Sequence, residues 1–405
     1  MTDDVTAPMT TTVAPHGVGG RRIRVLWLVK GLGAGGAERL LVSLARVADH
    51  DRYDYAAAYL LPHKDAFRPA LEAAGVTTHC LGVTSSRDMG WPWRLRRLLA
   101  QERFDVVHVH SPIVAGVARV MVRSLRPGRR PVIVSTEHNS WQSYLWPTRL
   151  LNASLHRWDR HRFAVSAQAK DSMWRPWRRD VEVLVHGVVL DDYRNVRDRR
   201  AEERQRLRID EDAVVVTTVA NLRREKGYPE LLAAAEVVLA QEPGTVFLAA
   251  GQGALRQALH ADHARRRLGK GFRFLGQVDD VPALLAASDV FVLPSRFEGT
   301  PIAIMETLCV GLPIVATSVG GIPEEVTHGV EGMLVPPRNA KALAASLLSL
   351  VREPETRDRM AEMATRRGAA FDIRTAIGRM EQVYADLVSL SPAGSGKPVF
   401  TPPSP

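Results

Sequence analysis

Residues 290–308 read VFVLPSRFEGTPIAIMETL, and two glutamates in that stretch are placed to do chemistry. A buried strand ending near Pro294 would leave Glu298 in a loop at the strand's carboxyl end. Thr300 and Pro301 read as the N-cap and first residue of a helix, because a hydroxyl caps free N–H groups and proline has none to lose. Glu306 then stands six residues beyond Thr300, roughly 9 Å along the axis at about 1.5 Å per residue. Carboxylates so far apart are no close acid/base pair; they suit an elongated ligand gripped at each end. Between them lie the N–H groups of Gly299, Thr300 and Ile302, and a helix amino end attracts phosphate. Hydroxyls at both extremities with a diphosphate between them describe a nucleotide sugar. Isolated glutamates would read as a loop acid and a helix-surface acid; the strand–Gly–Thr–Pro–helix setting favours the ligand.

A second motif lies in WLVKGLGAGGAERLL, residues 27–41, where Gly31, Gly33 and Gly36 are spaced as G-x-G-x-x-G after an apolar run. That spacing matches a dinucleotide fingerprint. An NAD site also needs an acid closing the second strand, about twenty residues on. Only Asp65, in YLLPHKD, is available, and it comes late. NAD is set aside.

The elements that must position these residues alternate between strand and helix along nearly the whole chain. Strands are expected at RIRVLWLV, DYAAAYLL, THCLGV, FDVVHVH, PVIVST, FAVS and VEVLVHG, then at AVVVTTVA, TVFLAAG, FRFLGQV, VFVLPS, PIVATS and GMLVPP. Continuous apolar runs of this kind suit parallel sheets covered on both faces. Two doubly wound α/β domains follow, at 21–190 and 213–372, joined by a charge-dominated stretch at 191–212. A further helix over 373–389 is expected to cross back onto the first domain. Residues 1–20 and the Pro/Ser/Gly-rich tail 390–405 are expected to be disordered. Ligands of two such domains lie in the cleft between them.

Glu298 and Glu306, followed by GLPIVATSVGGIPE, resemble the E-x7-E signature of retaining glycosyltransferases of the GT-B type, family four. The likeness spans roughly 22–388 and includes GAGGAERLL, DVVHVHSP, STEHN, VANLRREKG, AGQG and FLGQVDDVPALLAASDVFVLPSRFEG. It implies two facing Rossmann-like domains, the first taking the acceptor and the second the nucleotide-sugar donor. By the same likeness Glu298 holds the transferred sugar's hydroxyls and Glu306 the ribose. Arg223 and Lys226 neutralise the diphosphate, with Arg223 standing in for an arginine that many relatives carry where Asn221 stands. An arginine fork with a lysine point charge is a sound phosphate grip, and cations at a helix start otherwise oppose its dipole. Val278, through its backbone, and Asp280 edge the base pocket. Gly251 and Gly253 let backbone approach the donor, unless they only turn a strand end. Gly33, Gly35 and Gly36 face the diphosphate or the acceptor across the cleft. His138 touches the donor sugar from the facing domain, whereas His108 and His110 are structural or at the acceptor edge. His186, where relatives usually have Asn, marks a turn or hinge variation.

The implied reaction needs no cofactor and no metal. Asp210-Glu211-Asp212 spells D-x-D, but it precedes a strand at the sheet end away from ligands, and reads as linker charge. The net charge is +10 from 54 basic and 44 acidic residues, spread over short Arg clusters, which favours a solvated face over nucleic acid. Trp and Arg mix in WPWRLRRLLA, HNSWQSYLWPTRLL and MWRPWRR; helix packing with solvated charge and an anionic membrane surface both fit. Two isolated cysteines, Cys80 and Cys309, suit a reducing cytosol, and no run is long enough to span a bilayer. The expectation is a cytoplasmic enzyme, peripheral on the membrane's inner face if the second reading of those segments holds, with a glycan, lipid-linked or small-molecule acceptor. A nucleotide-sugar epimerase of the same fold and a non-catalytic nucleotide-sugar binder are the alternatives.

Overall fold

The computed structural model describes residues 21–33, 35–85 and 88–390; the segment 1–20 and all of the tail but Leu390 lie outside the described residues. Strands β1 (Ile23–Val29), β2 (Tyr53–Tyr59), β3 (Thr77–Cys80), β4 (Val106–Val109), β5 (Val132–Glu137), β6 (His161–Ala164) and β7 (Val181–Val183) form one sheet, ordered β3-β2-β1-β4-β5-β6-β7. Strands β8 (Val215–Val219), β9 (Val246–Ala250), β10 (Phe272–Gly276), β11 (Val290–Leu293), β12 (Ile314–Thr317) and β13 (Gly332–Val335) form a second, ordered β10-β9-β8-β11-β12-β13. Every pairing within them is parallel. The central strands are buried end to end, as VVHV in β4 and VFVL in β11 show; helices covering both faces demand that composition.

Strand order reverses between β1 and β4 in one sheet and between β8 and β11 in the other. Loops leaving neighbouring strands diverge at such a point and open a crevice at their carboxyl ends. The loops concerned are 30–35, 110–111, 220–226 and 294–301. They carry Gly33, Gly35, Arg223, Lys226, Glu298, Gly299 and Thr300.

The helix Ile373–Ser389 packs on the first sheet, where Ile377, Met380 and Tyr384 share a buried cluster with Val25, Trp27 and Leu44. Glu381 on its flank accepts from Tyr55 Oη at 2.8 Å and from the Asp49 backbone N–H at 2.9 Å. The chain therefore passes between the sheets twice, and the two passages touch. Val188 N–H donates to Phe371 O at 2.9 Å, and Ile373 N–H to Val188 O at 3.0 Å. Gly187 permits that approach, since a Cβ there would lie 2.5 Å from both Ile373 N and Phe371 O.

The stretch 191–212 is not bare chain. Val196–Arg199 and Arg200–Arg206 are helical, and Val196 joins the apolar cluster of Val281 and Leu285. Arg204 is buried and donates to Ala287 O at 3.1 Å, Asp289 Oδ2 at 3.3 Å and Asp210 O at 2.7 Å. A guanidinium's several donors can serve many acceptors at once, so charge here ties the stretch to the second sheet.

Candidate functional site between the two sheets

After β8 the chain makes a tight turn over Arg224–Lys226 before the helix Tyr228–Gln241. Lys226 Nζ donates to Glu298 Oε1 at 2.6 Å, and Ser295 Oγ donates to the same oxygen at 2.5 Å. Glu298 is 8 % exposed, so the ammonium and carboxylate from two adjacent strand ends meet with little water between them. Arg223 is exposed, 4.0 Å from the Glu225 carboxylate. Its charge also acts across the cleft on Glu38, whose carboxyl is raised by burial and pulled back down by Lys64 and Arg223. Cationic groups thus crowd this end of the crevice.

The helix that holds Glu306 spans Ile302–Val310, with Pro301 as N-cap. This moves the cap from the expected Thr300 to Pro301 and the first helical residue from Pro301 to Ile302. The Thr300 hydroxyl is engaged elsewhere, donating to Val165 O at 3.1 Å from the other side of the cleft. Gly299 lies against His138 O, close enough that a Cβ would collide with it. Glu306 is buried, accepts from Tyr193 Oη at 3.0 Å and lies 3.6 Å from Arg39 Nη1. Burial raises its carboxyl pKa against the pull of Arg39 and Tyr193, and burial beside Glu306 drives the Tyr193 hydroxyl far up. Arg39 belongs to the helix Gly36–Val47, whose N-cap is Gly35. Ile302 packs into the clusters of both domains, and its Cδ1 lies 3.9 Å from where a Gly36 Cβ would stand. Two helix amino ends therefore face each other across the crevice. The glutamates point into links that span or line this gap.

His138 sits among three other histidines. Ring centroids are 4.2 Å apart for His108–His110, 5.3 Å for His110–His138 and 5.2 Å for His138–His186. His108 is fully buried, bonded through Nε2 to Thr136 Oγ1 at 2.7 Å and through Nδ1 to Tyr384 Oη, a structural role. Burial lowers His138 to about 4 and holds His108, His110 and His186 well below the usual range. All four rings are neutral near pH 7.

The other candidates sit further along the second sheet. Gly251 and Gly253 press against Ala220 O and Leu222 O, and Leu222 N–H donates to Gln252 O at 3.0 Å; these glycines bring the β9 loop onto the loop bearing Arg223. Val278 is half-buried against the cluster of Leu248 and Leu284. Asp280 caps the helix Val281–Ala286 through Ala283 N–H at 3.0 Å and meets Arg199 at 2.7 Å. Asp210 and Glu211 offer backbone oxygens to Arg204, and among the described residues no group of three or more His, Cys, Asp or Glu is placed to hold a metal. Sequence reading missed Arg39, Tyr193, Ser295 and Glu324. The last bridges the domains, accepting from Ala167 and Gln168 N–H at 2.9 and 3.0 Å. Arg39 stands inside the quoted GAGGAERLL and Tyr193 inside the charged stretch, but only the fold reveals their partner.

Residues 34–192 match the family model described as Glycosyltransferase Family 4, and 199–367 match Glycosyl transferases group 1. An Escherichia coli UDP-Gal:alpha-D-GlcNAc-diphosphoundecaprenol alpha-1,3-galactosyltransferase is 25% identical over 81% of this chain and 87% of its own. An alpha-D-kanosaminyltransferase of Streptomyces kanamyceticus is 28% identical over 76% and 84%. Among solved structures, Anabaena HepE in complex with UDP and glucose superposes with a TM-score of 0.79 at 22% identity, covering 90% of this chain and all of that one. With the two models dividing the chain between them and both sheets matching this architecture, the protein belongs to the GT-B glycosyltransferases of the family 4 type.

Proposed function

We propose that the protein transfers a sugar from a nucleoside diphosphate sugar to a glycan, lipid-linked or small-molecule acceptor with the anomeric configuration retained, in cell-envelope or polysaccharide biosynthesis. The observation that carries this reading is the Lys226–Glu298 contact of 2.6 Å at the amino end of the helix that bears Glu306. Glu298 takes the sugar's hydroxyls and Glu306 the ribose, while His138 contacts the sugar from the facing domain. Lys226, Arg223 and the helix end stabilise the diphosphate as its charge grows. Gly33, Gly35 and Gly36 bring backbone to it from the other side. Val278 and Asp280 border the base. The acceptor hydroxyl attacks the anomeric carbon on the face from which the diphosphate departs, and its proton passes to the departing phosphate oxygen. Side chains supply the positive charge in this scheme, so transfer proceeds in EDTA.

The named relatives make uridine donors the first probes. HepE was solved with UDP and with UDP-glucose, and the E. coli relative is named for UDP-Gal. A thermal-shift panel of nucleoside diphosphates and their sugars should reveal a stabilising donor by mass action. Release of UDP only with an acceptor present supports transfer. Isomerisation of donor alone would favour an epimerase, and binding without turnover a non-catalytic binder.

Cytoplasmic location with attachment to the membrane's inner face belongs to this proposal. The helices Trp91–Glu102, Pro112–Arg123 and Trp146–Leu155 lie side by side and expose Trp93, Ile113, Leu145 and Trp146. Arg97, Arg123 and Arg126 are exposed around them. Apolar and basic groups sharing a face suit an anionic bilayer, where a lipid-linked acceptor would be found. Trp141 and Trp177 take no part: the first is buried, and the second donates to Ala153 O at 2.8 Å.

A further inference from the structure

His138 is held at both ring nitrogens. His110 Nδ1 lies 3.1 Å from its Nε2, and His186 Nε2 lies 3.3 Å from its Nδ1. The three residues leave the ends of β4, β5 and β7. A neutral imidazole has one N–H and one lone pair, so two bonds among three neutral rings are made only when all the protons point the same way along the row. Either His110 donates to His138 and His138 to His186, or every step is reversed. The outer atoms, His110 Nε2 and His186 Nδ1, are buried and have no hydrogen-bond partner. His186 also lines a hinge cavity of about 310 Å³, together with Ser166, Thr300, Asp372 and Glu325. Neither carboxyl oxygen of buried Glu325 has a partner.

We propose that His186 is a positioning residue for His138: with His110 it locks the three rings into one proton direction and so decides whether His138 offers a donor or an acceptor to the cleft. A sugar hydroxyl that replaces one of the two bonds to His138 meets a nitrogen whose state is fixed by the bond that remains. The unpartnered His186 Nδ1 extends this control to the hinge cavity, where a group that donates selects one direction and a group that accepts selects the other. The consequence for sugar binding rests on the donor reading above. The proton order does not.

The test uses the full chain labelled with ¹⁵N-histidine. In the unliganded wild type, long-range ¹H–¹⁵N correlation should show the three rings sharing one tautomer, all protonated at Nδ1 or all at Nε2. His186→Phe keeps a ring but removes both nitrogens, and should give His138 a mixed or opposite pattern. His186→Gln places an amide where Nε2 stood, and should restore one tautomer. An unchanged His138 pattern in His186→Phe overturns the proposal. In parallel, UDP-glucose should bind His186→Phe about three- to tenfold more weakly than wild type, the range set by one lost hydrogen bond, while UDP, lacking the sugar, binds both alike. Equal UDP-glucose binding by the variant and wild type would also overturn the proposal. A wild type that binds neither nucleotide defeats the donor reading instead, and the tautomer result still decides the ring order.

Discussion

Lys226 and Glu298 neutralise one another at 2.6 Å across the carboxyl ends of β8 and β11. A ligand bearing a diphosphate beside hydroxyls satisfies both partners at once, phosphate to the ammonium and hydroxyl to the carboxylate. Glu298→Gln should therefore leave UDP affinity equal or higher, because the ammonium loses a competing anion, while transfer falls by about a hundredfold. Lys226→Ala should weaken UDP by about tenfold. Calorimetry with UDP and a UDP-release assay separate the two effects. Equal losses of binding in both variants would contradict the division of roles.

Glu306 is positioned from both sides of the cleft, by Tyr193 at 3.0 Å and Arg39 at 3.6 Å. Glu306→Ala should weaken UDP by about tenfold or more, the scale of a hydrogen bond to a charged group. Tyr193→Phe should lose less, since Arg39 remains. Dissociation constants of the two variants check this order.

His138 gives a pH signature. Burial depresses it from 6.5 in the unfolded chain to about 4 when folded. Its stabilising contribution is therefore complete above pH 6.5 and is lost as pH falls toward 4, because only the unfolded state takes up the proton. His138→Gln removes that dependence. The stability difference between wild type and variant should shift by about 1–2 kcal/mol against wild type between pH 7.5 and pH 5. Urea melts at the two pH values measure it.

The exposed rings of Trp93 and Trp146 make the membrane proposal testable. Wild type should co-sediment with vesicles containing anionic lipid, and less so as salt rises. Trp93→Ala with Trp146→Ala should cut that binding by about tenfold or more while UDP affinity holds. Equal partitioning of the two proteins would remove this face from consideration.

The strands were legible because most are apolar runs between helix-period segments, and all thirteen expected runs form strands. The E-x7-E spacing and the NLRREKG turn were legible too, since strand–loop–helix punctuation brings each residue to a predictable strand end. What the sequence could not disclose depends on contacts between distant segments. The helix cap shifted from Thr300 to Pro301 because a hydroxyl that caps well in isolation had a carbonyl to meet on the opposing domain. Gly251 and Gly253 lie against the Ala220 and Leu222 carbonyls, a packing that their spacing does not announce. Arg39 and Tyr193 reach Glu306 from 267 and 113 positions away, and no local pattern reports that. The row of histidines was likewise hidden, because β6 separates β7 from β5 in the sheet and sequence spacing says nothing of ring stacking.

The seat of the helix Ile373–Ser389 has a consequence for synthesis. Its Ile377, Met380 and Tyr384 complete the cluster around Trp27 and Leu44, so the segment translated first waits for one translated more than three hundred residues later. Until the ribosome releases that helix, part of the opening sheet's apolar face stays uncovered beside the helix Gly36–Val47, while the later sheet has every strand it needs. The half begun earlier is the half finished last.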